Sequence, residues 1–452
     1  MFKRKIYNEL LNWKKNDSKE KALLIEGARR IGKSTIAEEF AKNEYKSYIL
    51  IDFNDVSKNI LFAFDNYLND LDNFFFILST EYNVKLYPGK TLIIFDEVQR
   101  FPKARQSIKK LVKDGRYSYI ETGSLISIKE NVKDISIPSE ERSLKMYPMD
   151  FEEFALALNE EKLIEYIKDC FNKKVPLLEG FHHKAMLLFK QYLLIGGMPK
   201  VVQKYIDNNR DFLKADQEKR DILELYKNDI EKADVSYRTK VKAIFEQIPS
   251  FLSKHEKRVR LSSLGSTSSF PAYEETFYWL SDSMMTNECF LCNDPNVGLS
   301  LNEDRTYLKC YLGDTGLLVS QTFNKKEIES SNLYTQILKD KLSINKGMFF
   351  ENVIAQILTS NGYDNLFFYT SYNNTKKRND IEIVFLISNG SNIKPKIFPI
   401  EVKSTTTFKS TSLIKFKERF KERIGTSYII SPKPFKIEDN IIYLPCYMTI
   451  CL

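Results

Sequence analysis

Residues 27 to 34 read Gly27-Ala28-Arg29-Arg30-Ile31-Gly32-Lys33-Ser34 and fit the pattern Gly-x-x-x-x-Gly-Lys-Ser/Thr at every fixed position. Residue types at this spacing bind phosphate. The two glycines let the backbone curl so that successive N–H groups point inward at an anion. Lys33 would meet the β- and γ-phosphates as a point charge, and the Ser34 hydroxyl, followed by Thr35, would ligate an Mg2+ ion bridging them. A second acid-bearing segment, Thr91-Leu-Ile-Ile-Phe-Asp96-Glu97, follows about 60 residues later. Asp96 would hold the magnesium directly or through water, and Glu97 would polarise the attacking water as general base.

These side chains act together only if particular elements present them. Lys21 to Glu26 is a short apolar strand and Thr35 to Lys42 repeats apolar residues at helical spacing, so the octet spans a strand-to-helix turn whose dipole favours anions. The four apolar residues before Asp96 suit a strand buried on both faces of a parallel sheet, with the acids at its carboxyl end, where ligands bind. Arg116 to Ile120 predicts another strand ending in Glu121-Thr122-Gly123-Ser124, where Thr122 or Ser124 would sense the γ-phosphate or cap the next helix. In place of the Asn-Lys-x-Asp signature of guanine-selective enzymes the chain has only Asn324-Lys325-Lys326-Glu327, so ATP is the expected nucleotide.

Further segments make the pattern specific. Ile25 to Ser34, Phe95-Asp-Glu-Val-Gln99-Arg-Phe-Pro, Thr122-Gly-Ser, and Glu141-Arg142 followed by Pro148 to Phe154 resemble the archaeal and bacterial AAA-type P-loop ATPases that carry a C-terminal domain of unknown function. Gly196-Gly-Met-Pro199, Tyr311-Leu-Gly-Asp-Thr-Gly316, Gly347-Met-Phe-Phe-Glu351-Asn and Ile400-Glu401-Val-Lys403 extend the match over most of the chain in the same order. The resemblance implies nucleotide roles for Lys33, Ser34, Asp96 and Glu97 and a sensor at Thr122 to Ser124. It leaves Arg142 either an arginine finger, acting in cis or on a neighbour, or an ion-pair partner, because many relatives have Gly-Arg where this chain has Glu141-Arg142.

From about residue 347 one helix bearing Glu351 is followed by strands at Leu366 to Thr370, Ile381 to Ile387 and Lys396 to Lys403. This order, ending in Glu401-x-Lys403, resembles the restriction-endonuclease (PD-(D/E)xK) fold, in which an acid and the Glu of Glu-x-Lys bind magnesium while the lysine assists the water. The first acid is ambiguous: one setting puts Val384 in the acid's place, the other makes it Glu382 with Asp380 before it. Alternation would put Asp380, Glu382 and Val384 on one face. Two outcomes stay open, a metal-dependent nuclease or a nuclease-like platform that only binds. Upstream, Leu261 to Leu280 followed by Cys289-Phe-Leu and Tyr307 to Tyr311 outlines a winged helix. Its helix, with Tyr273, Phe277 and Leu280 on one face, places Glu274 and Glu275 where DNA phosphates would lie, so packing against protein is an equal reading.

The chain, at 452 residues, is too long for one core. The expected division is an α/β P-loop ATPase domain with a parallel sheet (1–150), a helical lid (151–235), a winged-helix-like region (236–335) and an α/β nuclease-like domain (336–452). A net charge of +8 biases the surface toward anions and admits DNA or RNA as partners beside a protein client. No apolar run approaches the roughly 20 residues that span a bilayer, and no apolar stretch follows the basic N-terminus, so the expectation is a cytoplasmic protein with no membrane partner, free to form oligomers. Three histidines and one isolated Cys289-x-x-Cys292 pair argue against a zinc site.

Overall fold

The protein is described from a computed structural model covering residues 1–124, 138–263, 269–330, 332–339, 346–373, 378–389 and 396–452. Part of the expected winged helix, residues 264–268, lies outside the described residues. The chain forms two compact units, Lys3–Tyr147 and a second built from Pro148–Ser281 and Met285–Leu452.

The first unit contains α1 (Ile6–Asn16), β1 (Ala22–Glu26), α2 (Lys33–Glu44), β2 (Ser47–Asp52), α3 (Lys58–Asn66), α4 (Leu71–Glu81), β3 (Thr91–Asp96), α5 (Pro102–Asp114), β4 (Ser118–Gly123) and β5 (Glu141–Lys145). Its strands make one parallel sheet in the order β2-β3-β4-β1-β5. Every residue of β1 and of β3 is buried, as uninterrupted apolar runs in a covered parallel sheet require. Leu24, Ile51, Ile93 and Phe95 pack with Phe64 and Phe74 of α3 and α4 and with Ile108 and Leu111 of α5. α5 starts with Pro102 in its first turn and stops at Gly115, whose φ of 75° suits a residue without a side chain.

This unit also buries an acid cluster that has no apolar signature in the sequence. Glu26, Glu121 and Glu141 lie on adjacent strands, and Arg105 of α5 forks onto Glu141 at 2.9 and 2.6 Å. Burial, then Glu141, pushes the fully buried Glu121 carboxyl well up. A carboxyl raised on folding contributes stability below its unfolded pKa and loses it as pH rises toward the folded value. Glu121→Gln should therefore gain on the wild type as pH increases from 5 to 8, a crossing measurable by urea midpoints.

The second unit opens with helices: α6 (Phe151–Ala157), α7 (Glu161–Lys173), α8 (Glu179–Ile195), α9 (Pro199–Asp207), α10 (Phe212–Ile230), α11 (Arg238–Ser253) and α12 (Glu274–Asp282). Asp150 and Glu153 form a reciprocal capping box, and Phe151 and Phe154 of α6 pack on Tyr192 of α8. There follow β6 (Thr286–Cys292), β7 (Glu303–Leu312), α13 (Thr315–Thr322), α14 (Lys325–Ser330), α15 (Leu333–Leu338), α16 (Lys346–Ser360), β8 (Leu366–Asn373), β9 (Arg378–Asn389), β10 (Lys396–Val402), α17 (Thr411–Arg419), β11 (Ser427–Ser431), β12 (Lys436–Glu438) and β13 (Ile441–Pro445).

One sheet runs through all eight strands, in the order β12-β13-β11-β10-β9-β8-β6-β7. Strands from both sides of the expected boundary near residue 335 thus share this sheet. The β6–β7 hairpin read as a wing is the edge of the C-terminal sheet, because β6 pairs in parallel with β8 at Cys289–Leu366, Phe290–Phe367 and Leu291–Phe368. Cys289 and Cys292 of β6 are buried thiols, and burial pushes that of Cys292 up to about 11. Elsewhere in this unit Lys219 of α10 is completely buried, donating to the Leu194 carbonyl at 2.8 Å and the Tyr334 hydroxyl at 2.9 Å. Desolvation lowers its ammonium to about 8 despite Asp216. A lowered lysine costs stability while the unfolded chain stays protonated, so stability returns as pH rises above 8. The stability difference between wild type and Lys219→Met should shift toward the wild type by about 1–2 kcal/mol between pH 7.5 and 9.5, readable from paired denaturation curves.

Candidate nucleotide site and a charged cleft

β1 ends at Glu26 and α2 begins at Lys33, so the octet is the turn between a buried strand and a helix N-terminus. A side chain on Gly27 would meet the Ile31 side chain and the Met146 carbonyl oxygen, both at 2.4 Å. Gly32 caps α2 with φ 94°, a left-handed conformation that glycine adopts without strain. Ile31 and Ala28 anchor the loop in the core, Arg29 is half-buried, and Arg30 and Thr35 are exposed. Arg4 donates to the Ile31 carbonyl at 3.0 Å and the Tyr147 carbonyl at 2.6 Å. No sequence motif points to that strut, because its partners are backbone atoms.

The tip of this sheet gathers the expected polar groups. Lys33 donates from Nζ to the carbonyls of Gly27 and Ala28, both at 2.9 Å. The Ser34 hydroxyl donates to Asp96 Oδ1 at 2.6 Å, and the Thr122 hydroxyl donates to the same oxygen. That convergence follows from strand order: β4 lies between β1 and β3, bringing Thr122 level with Ile25 on one side and beside Asp96 on the other. Glu97 follows with φ 55° and ψ 45°, a left-handed conformation costing a non-glycine residue about 1–3 kcal/mol. Its N–H donates to Thr122 Oγ1 at 3.3 Å, and Gln99 Nε2 donates to its carboxylate at 2.6 Å. A hydroxyl beside a carboxylate is a hard-oxygen pair that fits Mg2+, whose remaining ligands would be phosphate oxygens and water.

Arg142 does not join this group. On β5 it pairs in register with Leu23, four residues before Gly27 and about 13 Å back along the strand, and its guanidinium is paired with Asp17. In this structure Arg142 is thus an ion-pair partner of Asp17, apart from the Ser34–Asp96–Thr122 group.

In the second unit Glu351 of α16, Glu382 and Val384 of β9, and Glu401 and Lys403 at the end of β10 line one cleft of about 290 Å³, together with Lys254, His255 and Lys257. Asp380 is not among them. A β-bulge between the Ser371–Ile381 and Tyr372–Asn379 pairings breaks the alternation, and Asp380 instead accepts from Lys415 of α17 at 2.6 Å. The expectation that Asp380 shares a face with Glu382 is thereby corrected.

The acids that do line the cleft are committed to lysines. Lys257 donates to Glu351 at 2.6 Å, and Tyr311 donates to the same carboxylate at 3.2 Å. Lys309 of β7, 1% exposed, lies 3.8 Å from Glu351 and 3.7 Å from Glu382. Burial alone would lower its ammonium, but Glu351 and then Glu382 outweigh that and raise it. Glu401 forms an ion pair with Lys403 at 3.1 Å. Desolvation pushes its carboxyl up. Among the described residues no group of three histidine, cysteine or acidic side chains is arranged to hold a metal. This donor set does not fit the divalent cation that a nuclease reading needs.

Residues 19–155 match the family model of an AAA domain, residues 186–327 a domain of unknown function (DUF8612) and residues 346–448 another (DUF4143). No curated protein matches the chain. Among solved structures it is similar to a Walker-type ATPase of Pyrococcus abyssi, with 15% identity and a TM-score of 0.42 over 72% of this chain and 96% of that one. It is also similar to a signal transduction ATPase with numerous domains from Pyrococcus horikoshii, with 14% identity and a TM-score of 0.27 over 80% of this chain and 48% of that one. Similarities at these scores carry no argument about function. No helix among the described residues is long and apolar enough to cross a membrane. By its matched segments, the chain carries an AAA domain followed by two domains of unknown function.

Proposed function

We propose that residues 27–35 bind Mg-ATP and that its hydrolysis switches what the second unit engages. The observation that carries this reading is the convergence of Ser34, Thr122 and Asp96, with Glu97 as the next residue. Ser34 and Asp96 would hold the magnesium, which neutralises charge on the β- and γ-phosphates when bound. Lys33 and the N–H groups at the start of α2 bind the phosphates. Thr122 orients Asp96 by its hydroxyl and, through the Glu97 amide, sets the direction of the general base. Glu97 orients the attacking water and accepts its proton.

Lys33→Ala tests the reading at its base. Removing the ammonium that the loop holds inside its own turn should weaken ATP binding at least tenfold and abolish turnover, measured by equilibrium binding of a fluorescent ATP analogue and by phosphate release. Unchanged affinity would mean that the octet is not the nucleotide site. Chelating Mg2+ should stop turnover in the wild type. A cytoplasmic setting, oligomeric assembly and a client protein belong to the same proposal and rest on the AAA-type character of the domain alone.

A further inference from the structure

We propose that the second unit carries, beside β12 at the free edge of its sheet, a pocket for a small aromatic monocarboxylate. The pocket gives this unit a ligand of its own and does not rest on ATP turnover.

The physical case starts with Ser431-Pro432-Lys433-Pro434-Phe435, which leads from β11 to β12. A proline on either side restricts the backbone of Lys433, whose N–H donates to Ser431 Oγ at 3.3 Å. The turn thus holds one cation in place. Its ammonium lies 4.5 Å from the ring centre of Phe408, in the loop between β10 and α17, and among the described residues no carboxylate pairs with it. Phe408 stacks with Tyr443 of β13, ring centres 6.3 Å apart and planes 24° apart. These two rings and the buried Phe435 line a cavity of about 390 Å³, which the exposed Pro176 and Pro434 also border.

Charge sets the class of ligand. Lys433 and Lys436 share the cavity with a single acid, Glu438, which Lys436 already holds at 2.9 Å. Asp439, the next acid along the chain, does not line it. One positive charge is left over, which matches a monoanion such as a carboxylate better than a phosphate, whose charge at neutral pH approaches two.

The hydrogen-bonding groups agree. Besides the Lys433 ammonium, the hydroxyls of Tyr443 and Ser410 reach the cavity with no hydrogen-bond partner among the described residues. An ammonium and two hydroxyls are donors for a carboxylate, and flat aromatic walls suit a flat apolar body. Small-molecule sites commonly enclose about 300–1,000 Å³ around a few convergent polar groups, so this cavity suits a compact ligand. An extended peptide is the poorer occupant, because β12 offers it only three residues to pair with.

The test uses the full chain without nucleotide, 4-fluorophenylacetate as the probe and fluorine NMR as the readout. The probe should bind saturably, in the millimolar range or tighter. Its affinity should fall about tenfold or more in Lys433→Met, which removes the charge and keeps an apolar stem, and severalfold in Tyr443→Phe, which keeps the ring, with circular dichroism showing both folded. Neither 4-fluorobenzyl alcohol, which has the ring without the charge, nor acetate, which has the charge without the ring, should displace it. The tetrapeptide Gly-Gly-Gly-Phe should compete less well than phenylacetate. The proposal is overturned if the probe shows no saturable binding, if the alcohol or acetate competes as well as phenylacetate, if both folded variants bind like wild type, or if the tetrapeptide competes equally, which would make the pocket a receptor for chain ends.

Discussion

Replacing Glu97 with Gln is expected to slow ATP hydrolysis by about 10²–10⁴-fold while leaving Mg-ATP bound. The substitution keeps the size and most hydrogen-bonding capacity of the side chain and removes only its ability to take a proton. The backbone at this position is held independently of the side chain, by the Glu97 N–H on Thr122 and by the left-handed turn leading from β3. Lys33, Ser34 and Asp96 are untouched. Phosphate release at saturating ATP should therefore collapse while the affinity for a fluorescent ATP analogue changes by less than about threefold. If turnover survives, the base is another group and the proposed role of Glu97 is wrong; if affinity collapses too, the residue supports the loop rather than the chemistry.

The second large effect lies in the other unit. Gly197→Ala should destabilise it by about 3 kcal/mol or more, at or above the upper end of ordinary overpacking. A Cβ on Gly197 would sit 1.9 Å from the Met149 carbonyl oxygen and 2.7 Å from the Met149 nitrogen. Neither is a flexible side chain that can swing aside, and the Met149 N–H donates to the Gly197 carbonyl at 2.7 Å. The Gly197 N–H is itself committed to Asp314, which also caps α13 through the Leu317 N–H and accepts from Gln356 of α16. A shift of this turn would thus disturb three buried partners. Gly180→Ala, in the first turn of α8 with no atom within 4 Å of an added Cβ, should cost nothing or stabilise by up to about 1 kcal/mol. Denaturant midpoints of the two variants decide it: equal stabilities would show that the turn relaxes freely.

The two glycine-rich matches illustrate what a linear pattern carries. Gly27 to Ser34 and Asp96-Glu97 are legible from residue order because phosphate binding depends on local backbone geometry and on a strand end, both set by neighbours in sequence. Gly196-Gly197 stands out as a motif but its neighbours do not explain it, since its reason is Met149 and Asp314, far away along the chain. Arg4, Arg105 and Lys309 carry no signal at all. Each is a lone cation whose partners are assembled by tertiary packing.

The sequence by itself determined the nucleotide loop, the acid-bearing strand and the alternation of apolar segments that makes the first sheet parallel, because these depend on residue type at short spacing. Only the tertiary structure decided that Thr122 meets Asp96, since that required β4 to enter between β1 and β3. Only it decided that a bulge turns Asp380 toward Lys415, that the expected wing joins the C-terminal sheet, and that Lys309 occupies the space between Glu351 and Glu382. The physical reason is common to these cases. Strand order, register and long-range charge pairing are settled by which surfaces bury together, and no local stretch of sequence contains that choice.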